Sequence, residues 1–174
     1  GLEITFDDIL KYASDCKYAD CQHTHEVGCA VIEAVENGEI DRASYENYLK
    51  MKNATWDRFD IKQFEIPINE EAKSYDIEAV VRCAENFQYD NLPFYVIITT
   101  PSGEERMREV TVPVRENSKL IMEPKGTKAE SRLILWRKIA MTEKGKCKIT
   151  IENMIPKIQT EGIDEIGIVV TESK

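Results

Sequence analysis

Two hydrophobic periods divide this chain. Over the first fifty residues, apolar positions recur every three or four residues, as on one face of a helix. Phe6, Ile9 and Leu10 share one side of a short helix opened by Phe6-Asp7-Asp8. Ala30, Val31, Ala34 and Val35 mark a second helix. Asn37-Gly38 closes it, since glycine takes the left-handed C-cap conformation cheaply. Asp41 is placed to cap a third helix, whose Tyr45, Tyr48 and Leu49 lie on one face. Around Met51–Thr55 the period falls to two. Tyr75, Ile77, Ala79, Val81 and Cys83 alternate with Asp76, Glu78, Val80 and Arg82. Cys147, Ile149 and Ile151 alternate with Lys146, Lys148, Thr150 and Glu152, and Ile166, Ile168 and Val170 repeat the pattern. Further strands are expected over 59–68, 93–100, 107–114 and 132–140, with turns at Pro101-Ser102-Gly103 and Glu143-Lys144-Gly145. The pattern predicts an α+β chain of two modules. Residues 1–51 form a small helical domain, and residues 52–174 an antiparallel β-sandwich.

Composition narrows the class. Hydrophobic residues make up 42%, enough for a packed core, and no apolar run reaches the roughly 20 residues of a spanning helix. No signal peptide opens these residues, and Gly1 reads as an added residue, so native sequence is expected upstream. The formal charge of −9 is concentrated at the front: residues 1–50 hold four Lys/Arg against eleven Asp/Glu, a net of −7. An acidic front end argues against binding naked nucleic acid, which needs Lys/Arg against phosphates.

Three of the five cysteines fall between residues 16 and 29, beside both histidines. The order is Cys16, four residues, Cys21, then His23 and His25, then Cys29. Clustered Cys with His reads as metal before disulfide, and an odd cysteine count suits a disulfide framework poorly. Three thiolates and one imidazole, His23 or His25, make a tetrahedral zinc set. Four protein ligands leave no position for a catalytic water, so one structural Zn2+ is expected. A fifty-residue helical piece buries too little surface to be stable alone, and a metal staple remedies that.

Two stretches resemble known families. Phe6-Asp7-Asp8-Ile9, the run Cys16 to Val31, Gly38-Glu39-Ile40 and Tyr45-Glu46-Asn47-Tyr48-Leu49 resemble the C-terminal zinc domain of the ribosome-small-subunit-dependent GTPase A family. That resemblance implies Cys16, Cys21, His23 and Cys29 as zinc ligands, docking on the small ribosomal subunit, and a cytoplasmic location. Val27 stands where the family usually has proline, and these residues contain no GxxxxGK[ST] phosphate loop, so GTP hydrolysis is not implied for them. Residues 52–172 are similar to the gliding-motility lipoprotein H family of Bacteroidetes. The similarity rests on Asn53-Ala54-Thr55-Trp56, Phe64-Glu65, Tyr75-Asp76-Ile77, Val81-Arg82, Phe87 to Leu92, Thr100 to Gly103, Glu143-Lys144-Gly145 and Gly162 to Ile168. It implies a non-enzymatic β-domain in an envelope assembly, although that family's lipidated cysteine is not among these residues. The two resemblances imply opposite compartments.

Catalytic candidates in the β half are few. Cys83 and Cys147 lie on apolar faces and read as buried, inert thiols, able to pair only if their strands are neighbours. Glu104-Glu105 reads as a solvated hairpin tip, and Trp56 and Trp136 as core or edge packing. Phe87 to Leu92 is either a recognition loop or a packed Ω-type loop. The expected function is non-catalytic: a zinc-stabilised module followed by a sandwich that contacts a protein or ribonucleoprotein assembly. Docking of the zinc module on the small ribosomal subunit is the alternative.

Overall fold

The alternation in residues 73–83 places Ile77, Ala79 and Val81 against one side of a sheet, and all three are fully buried. The same logic sets the whole β half in the computed structural model, which describes residues 2–126 and 128–174. The elements run β1 (Leu2–Ile4), α1 (Phe6–Leu10), a 3-10 turn (Ala13–Asp15), α2 (Ala30–Glu36), α3 (Arg42–Met51), β2 (Thr55–Asp57), β3 (Lys62–Ile68), β4 (Lys73–Cys83), β5 (Asn91–Thr99) and β6 (Glu105–Pro113). They continue with β7 (Arg115–Glu116), β8 (Lys119–Leu120), β9 (Glu123–Lys125), β10 (Lys128–Met141), β11 (Gly145–Asn153), β12 (Gln159–Glu161) and β13 (Ile163–Glu172).

Two antiparallel sheets carry the fold. One has the order β1-β13-β4-β10-β9 and the other β3-β11-β5-β6. Their inner faces share one apolar core, with Phe64, Ile66, Phe94, Val96, Ile149 and Ile151 from the second sheet meeting Ile77, Val81, Leu135, Ile166 and Ile168 from the first. All seven expected strands are present, and the three expected helices form where the periodicity put them. Asp41 caps α3, accepting the Ser44 N–H at 3.2 Å.

The front of the chain departs from the all-helical expectation. Leu2–Ile4 is a strand, paired with Ile168–Val170 of β13. Three residues are too few to show a period, so no sequence signal marks it. α3 also reaches beyond the other helices: Met51 is buried in the sandwich core, and Asn47 donates to the Gln63 carbonyl at 3.0 Å, covering the open edge of β3.

A second departure concerns Arg82. The alternation puts it on the polar, outward face of β4, yet it is 8% exposed. Its cross-strand neighbours are Glu165 on β13 and Glu130 on β10. Arg82 donates Nη1 to Glu165 at 2.7 Å and Nε to Glu130 at 2.9 Å. Its Nη2 reaches Asp7 of α1 at 2.8 Å. Glu165 also accepts the Phe6 N–H, and Arg132 joins Glu3 of β1 at 2.9 Å. The outer face is therefore a polar seam that receives α1, with β1 along the sheet's edge beside it. Arg82 holds the Asp7 carboxyl below its ordinary value. Burial pushes Glu165 up to about 7, against the downward pull of the Phe6 N–H and Arg82.

Lys62 breaks the pattern in the opposite sense. It occupies an inward position of β3, is fully buried, and pairs with Asp60. Its stem extends the apolar surface while the ammonium finds a carboxylate, and burial lowers its pKa.

Gly162 settles the loop from 84 to 90. Its φ is +86°, and a Cβ there would lie 2.4 Å from the Phe87 nitrogen. The loop packs accordingly. Phe87 is buried in the core, and Arg115 grips the Phe87 carbonyl at 3.0 Å and the Glu85 carbonyl at 2.6 Å.

Arg82→Ala strands two buried carboxylates, so unfolding free energy in urea should drop by about 3–5 kcal/mol. A carboxyl whose folded value lies above its unfolded one adds stability at low pH and loses it on the way up. Glu165 therefore makes stability fall as pH rises from its ordinary 4.5 through about 7, and Glu165→Gln should flatten that slope in urea titrations across the window.

Candidate metal centre

The segment between the 3-10 turn and α2 gathers one cluster. Cys16 follows the 3-10 turn, Cys21 and His23 sit on the loop after it, and Cys29 is the N-cap of α2. Cys29 Sγ accepts the Ile32 N–H at 3.4 Å. The loop closes because Lys17 donates its N–H to the Gly28 carbonyl at 3.0 Å. Only glycine fits at 28: its φ is +82°, and a Cβ would stand 2.8 Å from Lys17 Cβ.

One donor atom from each of Cys16, Cys21, His23 and Cys29 lies within 4.8 Å of the other three. Cys16 Sγ and Cys29 Sγ are 4.0 Å apart, and His23 Nδ1 stands 3.6 Å and 3.5 Å from them. Metal–sulfur bonds of about 2.3 Å and metal–nitrogen bonds of about 2.0 Å give tetrahedron edges of roughly 3.5–3.8 Å. These four residues could therefore hold a metal ion with little rearrangement. His25 stays outside the cluster, exposed, with its ring nitrogen 2.8 Å from the Thr24 hydroxyl.

Without a cation the donors burden one another. Desolvation and its thiol neighbours push Cys21 up to about 12. Burial opposes ionisation of Cys16 as well, but the Ala30 and Val31 N–H groups at the start of α2 hold it below its ordinary value. Burial and the nearby Lys52 ammonium lower His23 below its ordinary value. A dication among these atoms would turn repulsion between thiolates into attraction.

Three supporting residues escaped the sequence reading. Glu26 gathers the N–H groups of Gln22 and Thr24 at 3.0 Å and of His25 at 3.2 Å, and so shapes the turn that presents His23. Backbone donors, beginning with its own N–H, hold Glu26 at about 2. Tyr45 of α3 donates its hydroxyl to the His23 carbonyl, and Lys52 donates to the Gln22 carbonyl at 2.6 Å. Tyr45 was legible only as an apolar-face residue, and Glu26 and Lys52 carry no motif.

The remaining candidates settle apart from this cluster. Cys83 on β4 and Cys147 on β11 are free thiols in different sheets, and burial pushes both up to about 12. Trp56 is fully buried, with its indole N–H on the Asp60 carbonyl at 2.8 Å, and Trp136 packs against the core. Glu104 is exposed and pairs with Arg106.

Comparison with known proteins reproduces both resemblances. The GldH lipoprotein family matches residues 43–170. That range begins inside α3 and so takes the helix and the sandwich together. A small ribosomal subunit biogenesis GTPase, RsgA 1, of Bacteroides thetaiotaomicron is 39% identical over 80 residues, covering 46% of this chain and 22% of the relative. RsgA 2 of the same organism is 52% identical over 46 residues, covering 26% and 15%. RsgA 2 of Listeria monocytogenes is 48% identical over 52 residues, covering 30% and 15%. The matches thus span about a fifth or less of the length of these relatives. Among solved structures, the carbohydrate-binding module TmCBM61, in complex with β-1,4-galactotriose, is 14% identical with a TM-score of 0.34, covering 65% of this chain and 62% of that one. The glucuronidase BtGH115A is 16% identical with a TM-score of 0.34, covering 66% and 14%. Likenesses this weak say nothing of what the chain does.

The two histidines separate cleanly in a cobalt(II) titration followed by thiolate-to-metal absorption. His23→Ala should lower metal affinity at least tenfold, as about 1.4 kcal/mol of lost coordination already would, whereas His25→Ala should leave it unchanged.

Proposed function

Because this chain belongs to the GldH lipoprotein family, we propose that it is a non-catalytic binding protein whose β-sandwich, residues 52–174, contacts other proteins. Residues 1–51 are its zinc-fastened module. The observation that carries this reading is the tetrad of Cys16, Cys21, His23 and Cys29, set in a module that is ion-paired to the sandwich through Asp7 and Arg82. Three thiolates and one imidazole suit zinc, and four protein ligands close its coordination sphere. Bound there, zinc supplies folding free energy and no reaction step. The cysteines outside the tetrad are buried and held protonated, which supports a binding role over a thiol-based reaction.

A second reading rests on the relatives named for small ribosomal subunit biogenesis. The zinc module docks there on the small subunit, and the net of −7 over residues 1–50 weighs against direct contact with RNA. Co-sedimentation of the zinc-loaded chain with small subunits at low salt supports this reading, and its absence rejects it.

Metal analysis should find about one zinc per chain. Cys21→Ser should lose it and expose the loop of residues 16–29 to protease while the sheets persist in circular dichroism. A variant that keeps both metal and helices overturns the ligand set. For the sandwich, a photo-cross-linker at Tyr95, Met107 or Ile158 should give discrete protein adducts in cells, and no adduct from any of the three rejects the protein-contact reading.

A further inference from the structure

The turn between β2 and β3 presents Phe59, which is 81% exposed, and Ile158 beside it is 74% exposed. Their backbone is fixed. Asp60 donates its N–H to the Asp57 carbonyl at 3.0 Å, and Arg58 donates to the Ile158 carbonyl at 2.8 Å. Trp56 holds the Asp60 carbonyl from below. Phe59 and Ile158, with Lys50, Asp57 and Asp60, line a hollow of about 440 Å³.

Asp60 is the telling member. Its side chain is only 9% exposed, and Oδ2 is taken by Lys62. Oδ1 is buried and accepts no hydrogen bond among the described residues. Lys50 Nζ forms an ion pair with Oδ1 at 3.3 Å, outside hydrogen-bonding geometry, from a side chain that is 57% exposed. A buried acceptor without a donor is costly, and a loosely held surface amine offsets little of that cost. The hollow thus combines an exposed aromatic ring, an exposed aliphatic wall and an under-satisfied carboxylate.

We propose that this hollow receives a basic side chain, arginine above lysine, from a partner protein. The inference rests on the protein-contact reading and names its surface. The aliphatic stem lies between Phe59 and Ile158. The guanidinium displaces Lys50, donates to Asp60 Oδ1 and lies beside Asp57, with the Phe59 ring as a cation–π partner. Arginine is favoured because its planar fork donates and stacks at once. The chain's net charge of −9 draws such a partner in.

The test is an amide chemical-shift titration of the full zinc-loaded chain with N-acetyl-L-arginine amide, against the neutral isostere N-acetyl-L-citrulline amide. Arginine should give saturable shifts at Phe59, Asp60 and Ile158, and citrulline should not. Lys50→Ala, which removes the competing amine, should tighten arginine binding about threefold. Phe59→Ser should weaken it about two- to fivefold. Equal responses to both probes, shifts confined to other surfaces, or weaker binding by Lys50→Ala overturn the site. Protein adducts that persist unchanged in Phe59→Ser also reject the hollow while leaving the protein-contact reading intact. Arginine binding with no protein adduct anywhere rejects that reading and the assigned partner with it.

Discussion

One guanidinium organises the junction of this molecule. Arg82 sits between two strands that each offer a glutamate, and a third carboxylate reaches it from α1. A charge this buried is tolerated only with partners on every side. The arrangement couples elements far apart in sequence. β4 contributes the cation, β10 and β13 the flanking acids, and the front of the chain both Asp7 and the Phe6 N–H. Remove the cation and Glu130 and Glu165 are left buried without their partner. The outer face of the first sheet is thus committed to holding α1, directly after the edge strand β1.

α3 makes the second link. Its Tyr45 supports the loop that carries His23, while Met51 enters the sandwich core and Asn47 covers the β3 edge. The helix therefore belongs to both hydrophobic clusters, with Tyr48 and Leu49 packed on the smaller one. Order at the Cys/His cluster and order along the sandwich edge are connected by ten residues of helix, because one rigid element cannot repack on one side without moving on the other.

What the sequence disclosed follows from which signals are local. Helix and strand periods are local, so α1, α2, α3 and the seven long strands were legible. The clustering of the tetrad was legible because its four donor residues lie within fourteen residues and their chemistry is distinctive. Arg82 was not, since its neighbours are 48 and 83 residues away and an outward Arg on a strand ordinarily meets water. Lys62 gave no signal for a related reason: its inward place depends on Asp60, and a lysine on a strand ordinarily meets water. β1 has too few residues for a period, and its pairing depends wholly on β13. Glu26 acts through its backbone neighbours, and many acidic residues in this front segment would look the same on paper.

The pairing of β1 with β13 also decides how the fold bears mechanical load. Leu2 lies opposite Val170, with Ile4 opposite Ile168, so both outer ends of the pair leave from the same side. Tension between those ends opens the strand bonds one after another, like a zipper, instead of shearing them together. The first resistance is therefore slight. Behind it stand Glu3 on Arg132, then the Phe6 amide on Glu165, then Asp7 on Arg82. A pull applied there meets a graded series of catches, with the Asp7–Arg82 pair deepest.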